Sequence, residues 1–217
     1  MGVIRVPGQA VEPRARRGQK LPYLEEEGRE CSAFPVHTAI VRENERVIIR
    51  GLNEADAPAF RALRLRALHE HPEAFGASYE DALATPVEGM AARLRHDDTW
   101  PYNFVLGAFD NTDALIGMIG FMRQSGEKVR HKGAIWGMYV ARESVGLGMG
   151  RALMERAIVE ARQQPGLEQI ELTVVSTNEA ARHLYQSVGF IVYGVEPQAL
   201  KVGGEYVDED LMVLRLL

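Results

Sequence analysis

The stretch that decides the fold is Val145-Gly146-Leu147-Gly148-Met149-Gly150-Arg151. The apolar run Ala134 to Val140 before it predicts a strand, and the stretch Arg151 to Gln163 after it carries apolar residues at helical spacing. Alternate glycines let the backbone approach a ligand closely, and the first helical turn presents N–H groups that have no helical acceptor. Because the helix dipole also favours an anion there, this arrangement predicts a phosphate-binding cradle.

Two nucleotide-binding motifs do not fit this loop. A Walker loop ends in Gly-Lys-Ser/Thr, whereas this chain has Gly150-Arg151-Ala152. A dinucleotide fingerprint needs the spacing G-x-G-x-x-G, whereas here the glycines run G-x-G-x-G after a strand of an antiparallel meander. A tight turn with helix-packing glycines remains the simpler alternative when the loop is considered alone.

Periodicity along the rest of the chain predicts the order β-α-α-β-β-β-α-β-α-β-β. Residues 1–46 lack periodicity and are predicted to be a flexible N-terminal extension, which leaves 47–217 as the domain. The first helix has an apolar stripe through Phe60 and Leu68, with Arg61, Arg64 and Arg66 expected mostly off that stripe. The order predicts an α/β fold of the mixed α+β kind, in which helices flank a central, mostly antiparallel sheet.

A second block follows the glycine loop about 30 residues later, with the pattern Asn178-x-x-Ala181-x-x-Leu184-Tyr185-x-x-x-Gly189-Phe190. Together the two blocks resemble the GNAT acetyltransferase family, whose central motif is Gln/Arg-x-x-Gly-x-Gly/Ala. The resemblance runs from about Val47 to Leu216. It implies the GNAT acyl-CoA N-acyltransferase fold and acetyl-coenzyme A as cosubstrate.

The resemblance also implies which residues bind the coenzyme. The loop would hold the pyrophosphate with its N–H groups, the strand before it would pair with the pantetheine arm, and Asn178 would touch that arm. Val145 departs from the usual Gln or Arg, although this position contributes mainly through its backbone, and Arg151 could supply positive charge nearby. The implied cofactor-binding residues are Met138, Tyr139, Val140, Val145, Gly146, Leu147, Gly148, Met149, Gly150, Arg151 and Asn178.

Acetyl transfer to an amine needs a base for the amine and an acid for the departing thiolate. Tyr185 is the candidate acid, because it lies two turns into its helix on the inward stripe, although a core tyrosine would also fit. Glu171, on the preceding strand, is the candidate base, with an ion-paired or solvent-facing residue and a water chain as alternatives. Asn178 would in addition cap its helix.

Composition sets the remaining expectations. The net charge of -5 argues against nucleic acid as a partner, and the lack of a long apolar run predicts no membrane span. The single cysteine, Cys31, fits a reducing, cytoplasmic location and argues against a covalent enzyme intermediate. The histidines lack metal-ligand spacing, so no metal is expected.

The function predicted from the sequence is N-acetyl transfer from acetyl-CoA to a primary amine of a small molecule or peptide, in a ternary complex. The alternative is a non-catalytic acyl-CoA-binding sensor. The resemblance places acceptor binding in the segment after the first helix, which holds Tyr79, Glu80 and Asp81. Because the family is often dimeric, a homodimer is left open, and the identity of the amine is not predicted.

Overall fold

The computed structural model describes residues 37–42, 45–95 and 102–216. The strands are β1 (His37–Arg42), β2 (Glu45–Gly51), β3 (Asn103–Phe109), β4 (Leu115–Arg123), β5 (Lys132–Val140), β6 (Gln169–Val175), β7 (Ile191–Val202) and β8 (Glu205–Arg215). The helices are α1 (Ala57–Glu70), α2 (Tyr79–Ala84), α3 (Val87–Arg93), α4 (Met149–Arg162) and α5 (Glu179–Ser187). All eight strands form one sheet in the order β1-β2-β3-β4-β5-β6-β8-β7.

The mixed, mostly antiparallel sheet confirms the predicted fold class. The only parallel neighbours among these strands are β5 and β6, which α4 connects. A Cβ added to Gly117 of β4 would meet Leu153 of α4, whereas Gly120, of opposite parity, faces Trp136 beneath Arg64 of α1. Since successive side chains of a strand alternate between faces, α1 and α4 cover opposite faces of the sheet.

Three local expectations need correction. The sheet begins at His37, because β1 pairs antiparallel with β2 upstream of the boundary expected at residue 47; the rest of the predicted extension, 1–36, lies outside the described residues. The segment before α3, which has no clear period, contains α2, which Ser78 caps by accepting from Asp81 N–H. Arg64 does not lie off the apolar stripe of α1: it is buried, with an exposed fraction of 8%.

A β-bulge interrupts β5 near its middle. Met118 opposes Tyr139 and Gly120 opposes Trp136, so Gly137 and Met138 together face the single residue Ile119 of β4. Gly137 has φ +64°, a left-handed conformation that a side chain disfavours. A bulge bends its strand, and this one lies just beyond the last residue of β5 that pairs with β6.

Candidate active site

The strands β5 and β6 separate to form a fork. Their ladder joins Lys132–Ala134 to residues 169–171, and in the described chain it goes no further. β5 nevertheless stays paired with β4 as far as Val140, and β6 stays paired with β8 as far as Val175. The two parallel strands therefore diverge above Ala134, and the edge of β5 that carries Met138, Tyr139 and Val140 borders the opening.

The glycine loop lies beyond the open end of the fork. A short 3-10 turn, Arg142–Ser144, joins β5 to the loop, and α4 begins at Met149. Gly146 and Gly148 have φ +85° and +78°, and a Cβ built on either would meet no atom within 4 Å. The first helical bond runs from Ala152 N–H to the Gly148 carbonyl, which leaves the preceding N–H groups of the turn available to a ligand.

The flanks of the loop differ from the sequence expectation in one respect. Val145 is about half exposed. Arg151 donates to Ser187 Oγ of α5 at 2.7 Å and to Glu155 at 3.2 Å. Its guanidinium thus ties the N-terminal turn of α4 to the end of α5, and any contribution to anion binding is made from that tethered position.

Tyr185 reaches the open part of β5 from α5. Its side chain is completely buried, and its Oη lies 3.7 Å from Met138 Sδ. Burial raises the pKa of the Tyr185 phenol above its usual value, so the group keeps its proton at neutral pH. The structure thereby brings the candidate acid together with the strand expected to bind pantetheine. Asn178 caps α5, because its Oδ1 accepts from Ala181 N–H at 3.1 Å.

Glu171 lies at the closed end of the fork, opposite Ala134. The side chain is buried, and its Oε1 accepts from Lys132 Nζ at 2.9 Å and from Gln169 Nε2 at 2.6 Å. Register and strand alternation place it on the same sheet face as Ala134 and Trp136, the face that α1 covers. A base at this position would use the second oxygen, Oε2.

A cavity of about 700 Å³ opens beside the fork, between the end of α1, α2 and the β7–β8 hairpin. Its wall combines apolar side chains with polar groups, among them His69, Tyr79, Glu80 and Lys201. Tyr79 and Glu80 are two of the three residues expected at an acceptor site, whereas Asp81 does not line this cavity. The hairpin wall could not be deduced from periodicity, because it comes from chain more than 100 residues away.

A network of charged groups, which the sequence did not reveal, joins α1 to the start of the glycine loop. Arg66 donates to both oxygens of Glu143 at 2.7 and 2.6 Å and to Glu70 at 2.8 Å. Glu70 in turn accepts from Tyr139 Oη at 2.6 Å. The Arg66 guanidinium holds the pKa of Glu143 at about 2, well below its usual range. The network links the edge of the cavity to the loop.

Other features bear on the class of protein. No group of three or more His, Cys, Asp or Glu side chains that could hold a metal ion occurs in residues 37–42, 45–95 and 102–216. Among the helices of the described chain, none is both long and apolar enough to span a membrane. Cys31 lies outside the described residues.

Known proteins resemble this chain along much of its length. It is 31% identical to the mycothiol acetyltransferase of Beutenbergia cavernae over 71% of this chain and 48% of that protein. It is 38% identical to the L-amino acid N-acyltransferase MnaT of Escherichia coli over 36% of this chain and 45% of that protein. The chain thus spans about half the length of these curated relatives.

Comparison of folds gives the same result. The crystal structure of a GNAT-family acetyltransferase from Streptococcus pneumoniae superposes with a TM-score of 0.71 at 26% identity, covering 78% of this chain and 99% of that one. The sequence model described as "Acetyltransferase (GNAT) family" matches residues 61–190, more than half of the chain, including β5, the glycine loop and α5. The chain therefore belongs to the GNAT acetyltransferase family.

Proposed function

We propose that this protein transfers the acetyl group of acetyl-CoA to a primary amine of a small molecule or peptide, directly within a ternary complex. The observation that carries the proposal is the fork between β5 and β6, with the glycine loop beyond its open end and Tyr185 against its β5 edge. A direct transfer is favoured because the only cysteine, Cys31, precedes the whole described domain.

The residues present fit the coenzyme. The open space above Gly146 and Gly148 suits a pyrophosphate held by the N–H groups of 146–151, next to the positive end of the α4 dipole. The free edge of β5 at Met138, Tyr139 and Val140 suits the amide groups of pantetheine, which can pair with it as a further strand would. Bound acetyl-CoA would supply a thioester, with an electrophilic carbonyl and a thiolate leaving group.

The chain's own groups account for the proton transfers. Tyr185 Oη, kept protonated by burial, would donate to the sulfur as it departs. Glu171 Oε2, on the α1 face of the fork, would accept the proton of the amine directly or through a water. Lys132 and Gln169 fix the Glu171 carboxylate through Oε1, so they would set its orientation.

Coenzyme A release, measured with a thiol reagent over a panel of amines, tests the proposal, with coenzyme A binding measured by calorimetry in parallel. We expect binding and acceptor-dependent release. Tight binding without turnover on any amine would favour the sensor function. Absence of coenzyme A binding would overturn both.

A further inference from the structure

Arg64 occupies a position that an apolar helix face does not explain. The other buried residues of α1 are Ala57, Phe60, Leu63, Ala67 and Leu68, all apolar, yet the exposed fraction of Arg64 is only 8%. A guanidinium keeps its charge at every physiological pH, and its burial costs free energy unless nearby groups compensate. The fold therefore maintains a permanent cation between α1 and the sheet.

This cation lies against the bulge of β5. Arg64 Nη1 would be 3.7 Å from a Cβ built on Gly137, and its Cζ lies 5.8 Å from the centre of the Trp136 ring. Both residues follow Ala134, where the fork opens. The charge consequently borders the fork from the α1 face, and Leu68, one helical turn further along α1, lines the 700 Å³ cavity.

Negative charge lies across the fork on the same face. Glu171 of β6 opposes Ala134, and Glu209 of β8 opposes Val175, so strand alternation directs both carboxylates toward the α1 face. Their exposed fractions are 6% and 1%. A buried cation on the β5 side and buried carboxylates on the β6–β8 side match a ligand that carries an anion and an amine close together.

We infer that Arg64 determines acceptor specificity by binding a carboxylate, and that the acceptor is a free amino acid; the inference rests on the proposed acetyl transfer. In an α-amino acid the nitrogen lies about 2.5 Å from the carboxylate carbon. A charge-assisted hydrogen bond adds about 2.8 Å, which places the amine roughly 5 Å from the guanidinium, close to the bulge. A polyamine offers no anion and would bring further positive charge against Arg64.

Acids and their primary amides form the matched probes: L-leucine and L-methionine against L-leucinamide and L-methioninamide, with acetyl-CoA. The neighbouring carboxylate raises the pKa of the amine, so intrinsic reactivity favours the amide. We expect wild-type kcat/KM to be higher for the acids in spite of this. In Arg64→Met the ratio of acid to amide should fall about 10- to 100-fold, with unchanged coenzyme A affinity.

Two further variants separate recognition from a structural role. Arg64→Lys keeps the charge but loses the two-pronged geometry, so its ratio should be intermediate. Arg162→Met removes an exposed arginine from the far end of α4 and should leave the ratio unchanged. If Arg64→Met does not fold, as its melting curve would show, the wild-type and Arg64→Lys ratios decide.

The outcomes are distinct. A wild-type protein that acetylates amides as well as acids, or only other amines, overturns this inference and leaves the proposed function intact. Equal losses for acid and amide in Arg64→Met would make Arg64 structural and also overturn it. A protein that turns over no amine refutes the proposed transfer itself.

Discussion

Gly148 offers the sharpest test of the coenzyme loop. It has φ +78° and immediately precedes α4, and no atom lies within 4 Å of a Cβ built on it. Gly148→Asp therefore avoids a clash in the unliganded protein but places a carboxylate where we expect a pyrophosphate. Left-handed backbone at a residue with a side chain costs roughly 1–2 kcal/mol, which is a cost in folding stability alone.

The cost in binding follows from Coulomb repulsion. Two unit charges about 5 Å apart, at an effective permittivity of about 20, repel by roughly 3 kcal/mol. Since every 1.4 kcal/mol is about tenfold in affinity, the Kd for coenzyme A should rise about 100-fold. Salt screens such repulsion, so the loss should be smaller in 0.5 M than in 0.05 M NaCl.

Gly166→Asp is the matched control. Gly166 has φ +70°, so its substitution carries a similar backbone cost, but it follows the opposite end of α4. A helix of 14 residues is about 21 Å long, well beyond the screening distance at physiological salt. Calorimetry with coenzyme A should give the wild-type Kd for this control. If Gly148→Asp also bound within twofold of wild type, the loop would not contact the pyrophosphate.

Further predictions concern the proton donor, the base and the charged network. Tyr185→Phe should lower kcat about 100-fold while the Kd for coenzyme A stays within about threefold; rates equal to wild type at every pH would make Tyr185 a core residue only. Glu171→Gln should lower kcat and remove the lower pKa from the pH profile of kcat, whereas an unaltered profile would assign the base elsewhere. Glu143→Gln should weaken coenzyme A binding severalfold, since it releases the turn before the loop from Arg66, whereas Glu54→Gln, which breaks the exposed pair with Arg95, should not. Because folding lowers the pKa of Glu143 to about 2 from its usual 4.5, its contribution to stability is complete above pH 4.5 and is lost as the pH falls toward 2. The melting temperature of Glu143→Gln should thus fall less steeply than that of wild type between pH 5 and 2, and parallel curves would contradict the ion pair.

Features encoded locally could be predicted from the sequence. The glycine spacing at 146, 148 and 150, the apolar stripe of α4 and the capping Asn178 are read within one or two helical turns, and each lies where expected. The family block ending in Phe190 placed Tyr185 on the inward face of α5, where it is completely buried. The site roles of these residues remain predictions until a ligand is seen.

Features that depend on distant chain segments could not be predicted. The fork depends on which strands pair and how far, and the cavity joins α2 to a hairpin more than 100 residues later. Arg64 was misplaced because charged side chains are normally excluded from a buried stripe. One local signal was available: Gly137 within an apolar strand is typical of a bulge, and the bulge lies where β5 leaves β6.

The most direct test of the central claim is a crystal structure of the protein with coenzyme A. The account predicts that the pyrophosphate accepts hydrogen bonds from N–H groups of 146–151. It also predicts that the pantetheine arm lies between β5 and β6 above Ala134, with the sulfur within reach of Tyr185 Oη. Coenzyme A bound elsewhere, with the fork empty, would contradict the account.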